Sequence, residues 1–182
     1  MKKIAKKNNY NNFKIRNVEE KDLPFLKEME RKIYGNEDAA LIQGEAMIKD
    51  IKKANGLKYS MFLIKNLLSK EEKIVGYIVA VEDKTDYGDF CVYLEDIAIV
   101  PDFQGKGLGL ILMQEFVSRI KKRGILFFDV TLRMNSKKFL DKHEGKLKDS
   151  GVELLEEFFL PDYYNKGEDG FYRLYKINPA VC

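Results

Sequence analysis

Apolar and polar positions alternate over residues 13–18, which predicts a first strand. Asp22-Leu23-Pro24 then opens a helix to Tyr34, with Asp22 as its N-cap and Pro24 in the first turn. Leu23, Leu26, Met29 and Ile33 recur at helical spacing, and Gly35 reads as the stop. A weaker helical stripe, Ala46, Met47, Ile51 and Ala54, predicts a second helix over 44–54. The pattern then changes to short apolar runs at 59–64 and 74–81. They are bounded by polar turns and read as strands buried on one or both faces, with Lys70-Glu71-Glu72-Lys73 as the hairpin between them. A polar turn at 83–89 precedes a long strand over 91–100, stopped by Pro101.

The strongest helical stripe follows. Gly109, Leu112, Met113, Phe116, Val117 and Ile120 are spaced by threes and fours. Arg119, Lys121, Lys122 and Arg123 place positive charge at its C-terminal end, where the helix dipole favours it, and Gly124 ends it. A buried strand over 125–132 comes next. Asn135-Ser136 caps a short helix through His143, ended by Gly145, and strands at 152–160 and 171–177 close the chain around a loop at 163–170. The order β-α-α-β-β-β-α-β-α-β-β predicts an α/β protein with a mixed sheet and helices on its faces. No linker divides it, so residues 13–182 read as one domain behind a basic Asn/Lys-rich tail at 1–12.

Composition narrows the classes. Hydrophobic residues make up 45% and charged residues 34%, the balance of a globular chain. The net charge of +3 is carried by the tail, because setting aside Lys2, Lys3, Lys6 and Lys7 leaves 28 bases against 29 acids. Such a tail is expected to be solvated and mobile, and nothing suggests a nucleic-acid-binding fold. No apolar run reaches the roughly 18 residues that cross a bilayer, and with no apolar stretch after the charged first residues a secretory signal is not expected. Two cysteines, Cys91 and Cys182, form no disulfide framework and fit a reducing cytoplasm. A single histidine, His143, argues against a multi-histidine metal site and a Ser-His-Asp triad.

The segment Tyr93-Leu-Glu-Asp-Ile-Ala-Ile-Val-Pro-Asp-Phe-Gln-Gly-Lys-Gly-Leu-Gly109 holds the candidate chemistry. Glycines at alternate positions allow a tight turn with exposed amides, and the turn opens a helix whose first N–H groups lack internal partners. Dipole, amides and Lys106 together suit a pyrophosphate. A Walker loop is excluded, since Val100 stands where its first glycine belongs and Gly107 where Ser or Thr belongs. A Rossmann fingerprint fails on glycine spacing and on the run of strands before the turn. A plain strand-to-helix turn is the remaining alternative.

Gln104-Gly-Lys-Gly-Leu-Gly109 resembles the Gln/Arg-x-x-Gly-x-Gly/Ala signature of the GNAT acetyltransferases, in the position that family gives it, after a strand and opening a long helix. The match extends to Arg133-Met-Asn135 and, in Tyr163-Tyr-Asn-Lys-Gly-Glu-Asp-Gly170, to a segment of protein N-terminal acetyltransferases. The resemblance implies the GNAT fold: six to seven mostly antiparallel strands, a central parallel pair splayed for coenzyme A, and four helices. It implies that Gln104, Gly105, Lys106, Gly107, Leu108, Gly109 and Leu110 hold the pyrophosphate of acetyl-CoA, and that Ile97, Ala98 and Ile99 pair with its pantetheine arm. Asn135 matches the family's asparagine beside that arm and equally suits a helix N-cap.

Acetyl transfer needs an uncharged amine, and an ordinary lysine amine is neutral about once in a thousand at pH 7.4. A base must take the proton. Strand alternation puts Tyr93, Glu95, Ile97 and Ile99 on one face. A carboxylate in such a strand is costly without a purpose or a partner. Glu95, at the position where polyamine acetylases of this superfamily present a glutamate, is expected to be the base, and Asp96 to be a structural carboxylate bonded to loop amides. The tyrosine that many family members carry in the fourth helix is absent; aligned on Gly145, Leu140-Asp141 stands there. Tyr164 is the candidate acid or substrate contact, and Tyr93 and Tyr163 candidate substrate-binding residues. Cys91, with no basic neighbour, reads as a buried packing residue.

The expected function is direct acetyl transfer to a primary amine, with a protein N-terminus or lysine favoured over a polyamine. A non-catalytic acyl-CoA sensor is the alternative from another class. The expected partners are acetyl-CoA and the amine, with no nucleic acid, membrane or metal, in a monomer or homodimer.

Overall fold

The computed structural model describes residues 12–34, 59–66, 73–84 and 90–178. The expected helix at 44–54, the tail at 1–11, the stop at Gly35 and most of the turns around 70–73 and 83–89 lie outside the described residues. Strands β1 (Phe13–Asn17), β2 (Tyr59–Asn66), β3 (Lys73–Lys84), β4 (Phe90–Ile99), β5 (Phe127–Arg133), β6 (Val152–Asn165) and β7 (Glu168–Ile177) form one sheet in the order β1-β2-β3-β4-β5-β7-β6. Three α-helices are described: α1 (Leu23–Tyr34), α2 (Leu108–Lys122) and α3 (Met134–Asp149). This is the mixed sheet and helix arrangement that the sequence predicted.

Burial explains the layers. Residues 74–80 of β3 are all buried, because α1 covers one face of the sheet there and α2 the other. Leu26 and Met29 of α1 join Tyr77, Val79, Ala98 and Val100 in the smaller cluster. The larger cluster takes the apolar stripe of α2, with Leu140 and Leu147 of α3. Its centre is aromatic: Phe116 meets Phe128 edge-on at 5.3 Å, and Phe128 stacks on Tyr175 at 4.7 Å.

All strand pairs are antiparallel except β4 with β5. That parallel contact spans only Cys91↔Phe127, Val92↔Phe128 and Tyr93↔Asp129. Beyond Tyr93 the partners separate: β4 follows β3 as far as Ile99, while β5 follows β7 as far as Arg133. Among the described residues, no strand pairs with the β5-facing edge of 94–99.

Two local expectations are corrected. The helix after β5 does not stop at Gly145 but runs to Asp149 and gives way to Gly151, whose φ is +82°. Leu147, one turn past the last expected residue, is buried, and that contact outweighs one exposed glycine in the helix interior. Asn135 lies inside this helix; the cap position is Arg133 and no side chain caps it. The segment 163–170 is likewise no loop. β6 and β7 run to Asn165 and Glu168, leaving Lys166-Gly167 as the turn. The extra chain is taken up between Leu160 and Asn165, where the register shifts and Asp162 adopts φ +52°.

Candidate active site

The β3–β4 ladder decides where the carboxylates point. Val79 faces Asp96, but Ala80 faces Leu94, so Glu95 is an extra residue with no partner on β3. Such a bulge breaks the two-residue alternation of the strand. Val92 and Leu94 lie in the α2-side core; after the bulge the odd positions Ile97 and Ile99 pack against that core, and Ala98 and Val100 turn to the α1 side. The expectation of one face bearing Tyr93, Glu95, Ile97 and Ile99 is therefore overturned at Glu95. Tyr93 faces Val81 and so shares the side of Val79 and Asp96.

The two carboxylates are treated differently. Asp96 accepts a hydrogen bond from the Tyr77 hydroxyl at 2.5 Å, a partner that the sequence did not suggest. Glu95 Oε2 is buried with no hydrogen-bond partner. Burial, reinforced by the negative charge of Asp96, lifts the Glu95 carboxyl above its ordinary value. An orphaned, desolvated carboxylate of this kind is prepared to take a proton.

The glycine turn follows the end of the same strand. Gly105 and Gly107 have φ of +70° and +81°, a conformation that side chains resist, and Gly107 occupies the cap position of α2 without any side-chain cap. The first helical bond visible across the junction runs from Ile111 N to Gly107 O, so the amides of 108–110 have no helical acceptor. Gln104 Nε2 donates to Ile99 O at 2.9 Å and fastens the turn to the end of β4. Lys106 folds back, donating to Asp102 O at 2.8 Å and lying 4.5 Å from the Phe103 ring centroid. The third glycine has another reason. A Cβ at Gly109 would sit 3.1 Å from the Phe139 ring, so Gly109 lets α2 approach α3. Asn135 is exposed in the first turn of α3, next to the end of β5.

On the other side, polar residues alternate along β5. Asp129, Thr131 and Arg133 interleave with the core residues Phe128, Val130 and Leu132. Tyr93 is half-buried on the side of Thr131; burial raises its phenol, and Tyr163, Asp129 and Glu95 add to that. Asp129 accepts from Tyr172 at 3.1 Å and lies 3.8 Å from Cys91 Sγ. Tyr164 is pushed up to about 12, by burial first and by Tyr93 next. Arg133 lies over the Tyr164 ring, 4.3 Å from its centroid. Tyr163 is exposed and meets Tyr164 edge-on at 5.0 Å. The structure thus brings Tyr93, Glu95, Tyr163 and Tyr164 into one neighbourhood. Thr131 and Arg133 were missed by sequence reasoning, although the alternation along β5 was the signal that could have found them.

Asp141 is placed elsewhere. It pairs with Lys137 and with Arg173, which is buried and also bonds Glu157 at 2.5 Å and the Tyr175 hydroxyl at 3.3 Å. Burial alone would raise Asp141; its bonds to Arg173 and Lys137 outweigh that and hold it below the usual carboxylate range. No tyrosine occurs anywhere in Met134–Asp149, so its absence does not depend on which glycine is taken as the landmark. Among the described residues, no group of histidine, cysteine or carboxylate side chains is arranged to hold a metal ion, and no helix is long and apolar enough to cross a membrane.

Comparison with known proteins gives a single direction. The model of the acetyltransferase (GNAT) family matches residues 23–144. No curated protein matches at a significant level. Among solved structures, the fold is shared with the ribosomal-protein-S18-alanine N-acetyltransferase from Escherichia coli, at 20% identity and a TM-score of 0.64, covering 92% of this chain and 96% of that one. It is also shared with NAA60 from Arabidopsis thaliana in complex with a bisubstrate analogue, at 13% identity and 0.69, covering 92% and 99%. A third is the spermidine N-acetyltransferase from Vibrio cholerae in complex with CoA and spermine, at 13% identity and 0.66, covering 92% and 96%.

Proposed function

The chain belongs to the GNAT acetyltransferase family, as an N-acetyltransferase with acetyl-CoA as cosubstrate, and from that premise we propose that it moves the acetyl group directly to a primary amine, with Glu95 as the base. The observation that carries this reading is the orphaned Glu95 Oε2, buried at a bulge in β4, the strand whose β5-facing edge is left unpaired and which leads into a glycine turn with free amides. These features fit the cosubstrate. The unaccepted amides of 108–110 and those of Gly105 and Gly107 suit a diphosphate, and the edge of 97–99 offers main-chain groups to an amide-bearing arm. Acetyl-CoA supplies a thioester carbonyl for attack.

Glu95 accepts the proton of the incoming ammonium, directly or through a water, and so generates the neutral nucleophile. The Tyr164 phenol, raised to about 12, stays protonated through the working range. It donates a hydrogen bond well but is a poor proton source for a thiolate, which favours the contact role over the acid role. Thiolates leave readily, and no acid is required.

For the acceptor, the aromatic pair Tyr163 and Tyr164 beside Tyr93 favours a peptide or protein amine over a polyamine. The decisive experiment incubates the protein with labelled acetyl-CoA and a panel of free-amine peptides, lysine peptides and spermidine. Labelled peptide is expected; label on spermidine alone overturns the acceptor. Glu95→Gln is expected to lower kcat at neutral pH about a hundredfold with acetyl-CoA affinity unchanged. Tight acetyl-CoA binding with no CoA release for any amine marks a sensor instead.

A further inference from the structure

The β6–β7 hairpin carries a built feature that holds the acceptor contacts Tyr163 and Tyr164. Between Leu160↔Gly170 and Asn165↔Glu168, β6 carries four residues, 161–164, against one on β7. This wide bulge is held by its own contacts. Asp162 is in the left-handed region, its amide donates to Asp169 Oδ1 at 3.1 Å, and its carboxylate accepts from the Gly167 amide. Tyr163 packs onto Gly170 so closely that a Cβ there would lie 3.0 Å from it. The bulge sets Tyr163 edge-on against Tyr164 at 5.0 Å, and Tyr164 stands close enough to Tyr93 for the two phenols to influence each other.

One residue at the end of β5 reaches the turn end of the hairpin. Arg133, where β5 passes into α3, lies over the Tyr164 ring and makes an ion pair with Glu168. Glu168 in turn accepts from Asn165 Nδ2 at 3.0 Å, at the closing pair of the turn. The guanidinium thus holds the ring face and the base of the hairpin together, a geometry that a planar cation satisfies better than an ammonium.

We infer that Arg133 is a positioning residue that fixes Tyr164 at the acceptor side of the active site. The inference rests on the assignment of that side in the proposed function, and its test separates the two. In protein labelled with 3-fluorotyrosine, the Tyr164 fluorine resonance, identified by its loss in Tyr164→Phe, is expected to shift and broaden in Arg133→Gln and to be restored only in part in Arg133→Lys, whose ammonium keeps the charge but not the planar stack. An unmoved resonance in Arg133→Gln overturns the inference whether or not an acceptor is acetylated.

With a short peptide bearing a free α-amine, Arg133→Gln is expected to raise the acceptor KM roughly tenfold. Acetyl-CoA affinity by calorimetry is expected to be unchanged. Adding Arg133→Gln to Tyr164→Ala is expected to have no further effect on KM. Additive effects, or an equal loss of acetyl-CoA affinity, assign Arg133 a merely structural or cofactor role and overturn it. A moved resonance with no peptide acetylated by the unmodified protein leaves the positioning intact and removes the peptide acceptor.

Discussion

Glu95 is held in a place where its anion is poorly tolerated. Burial and the neighbouring Asp96 raise its carboxyl, and one oxygen has no partner. Because the folded state favours the protonated form, Glu95 detracts least from stability below its unfolded value, and its burden grows as pH rises through the folded value. Glu95→Gln removes that burden. Its melting temperature is expected to exceed that of the unmodified protein by a few degrees at neutral pH and to match it in acid, as calorimetric scans at the two pH values would check. The same shift places the acid limb of kcat/KM above the ordinary carboxylate range, and activity falls as pH drops through it. A variant both inactive and more stable separates function from fold at this residue. The presence of the carboxylate was legible in the sequence. Its orientation was not, because alternation assumes an unbroken ladder and the bulge depends on β3.

At the scale of elements, helix stripes were read well and helix ends were not. Seven apolar residues of α2 are buried on one side, and a sequence with that period has few other ways to remove them from water. The ends of α3 answer to tertiary contact: Leu147 finds the core and carries the helix past Gly145. Gly109 shows the same division. Its place in the glycine signature was plain, but its need for an absent side chain comes from Phe139, thirty positions later. Gly109→Ala is expected to destabilise the protein by about 1 kcal/mol despite the better helix propensity of alanine. Adding Phe139→Leu is expected to return part of the loss, as chemical denaturation of the single and double variants would show. If Gly109→Ala is stabilising alone, the close approach of the two helices is wrong.

Over the whole molecule, two long-range arrangements set the site. One is the divergence of β4 from β5 after Tyr93, which leaves a strand edge open beside Glu95. The other is the network around buried Arg173, which joins α3, β6 and β7 through Asp141, Glu157 and Tyr175. Asp141 is depressed in the folded state, so its contribution is present above its unfolded value and is lost as pH falls through the folded one. Asp141→Asn is expected to cost about 1 kcal/mol at neutral pH, a figure kept small because Asp141 is partly exposed and Glu157 remains with Arg173. The difference is expected to close in acid, as denaturation midpoints at pH 7 and pH 3 would test.

Among the described residues, the sequence by itself determined the strands and helices and their order, as it did the glycine turn and the family, because periodicity and turn chemistry are local and are written in neighbouring residues. The tertiary structure alone decided that Glu95 stands unpaired at a bulge, that Asp141 serves a buried arginine, and that Arg133 reaches Tyr164. Each depends on which strand lies beside which and in what register. A one-residue slip there reverses every side chain beyond it, and that energy is fixed only when distant segments meet.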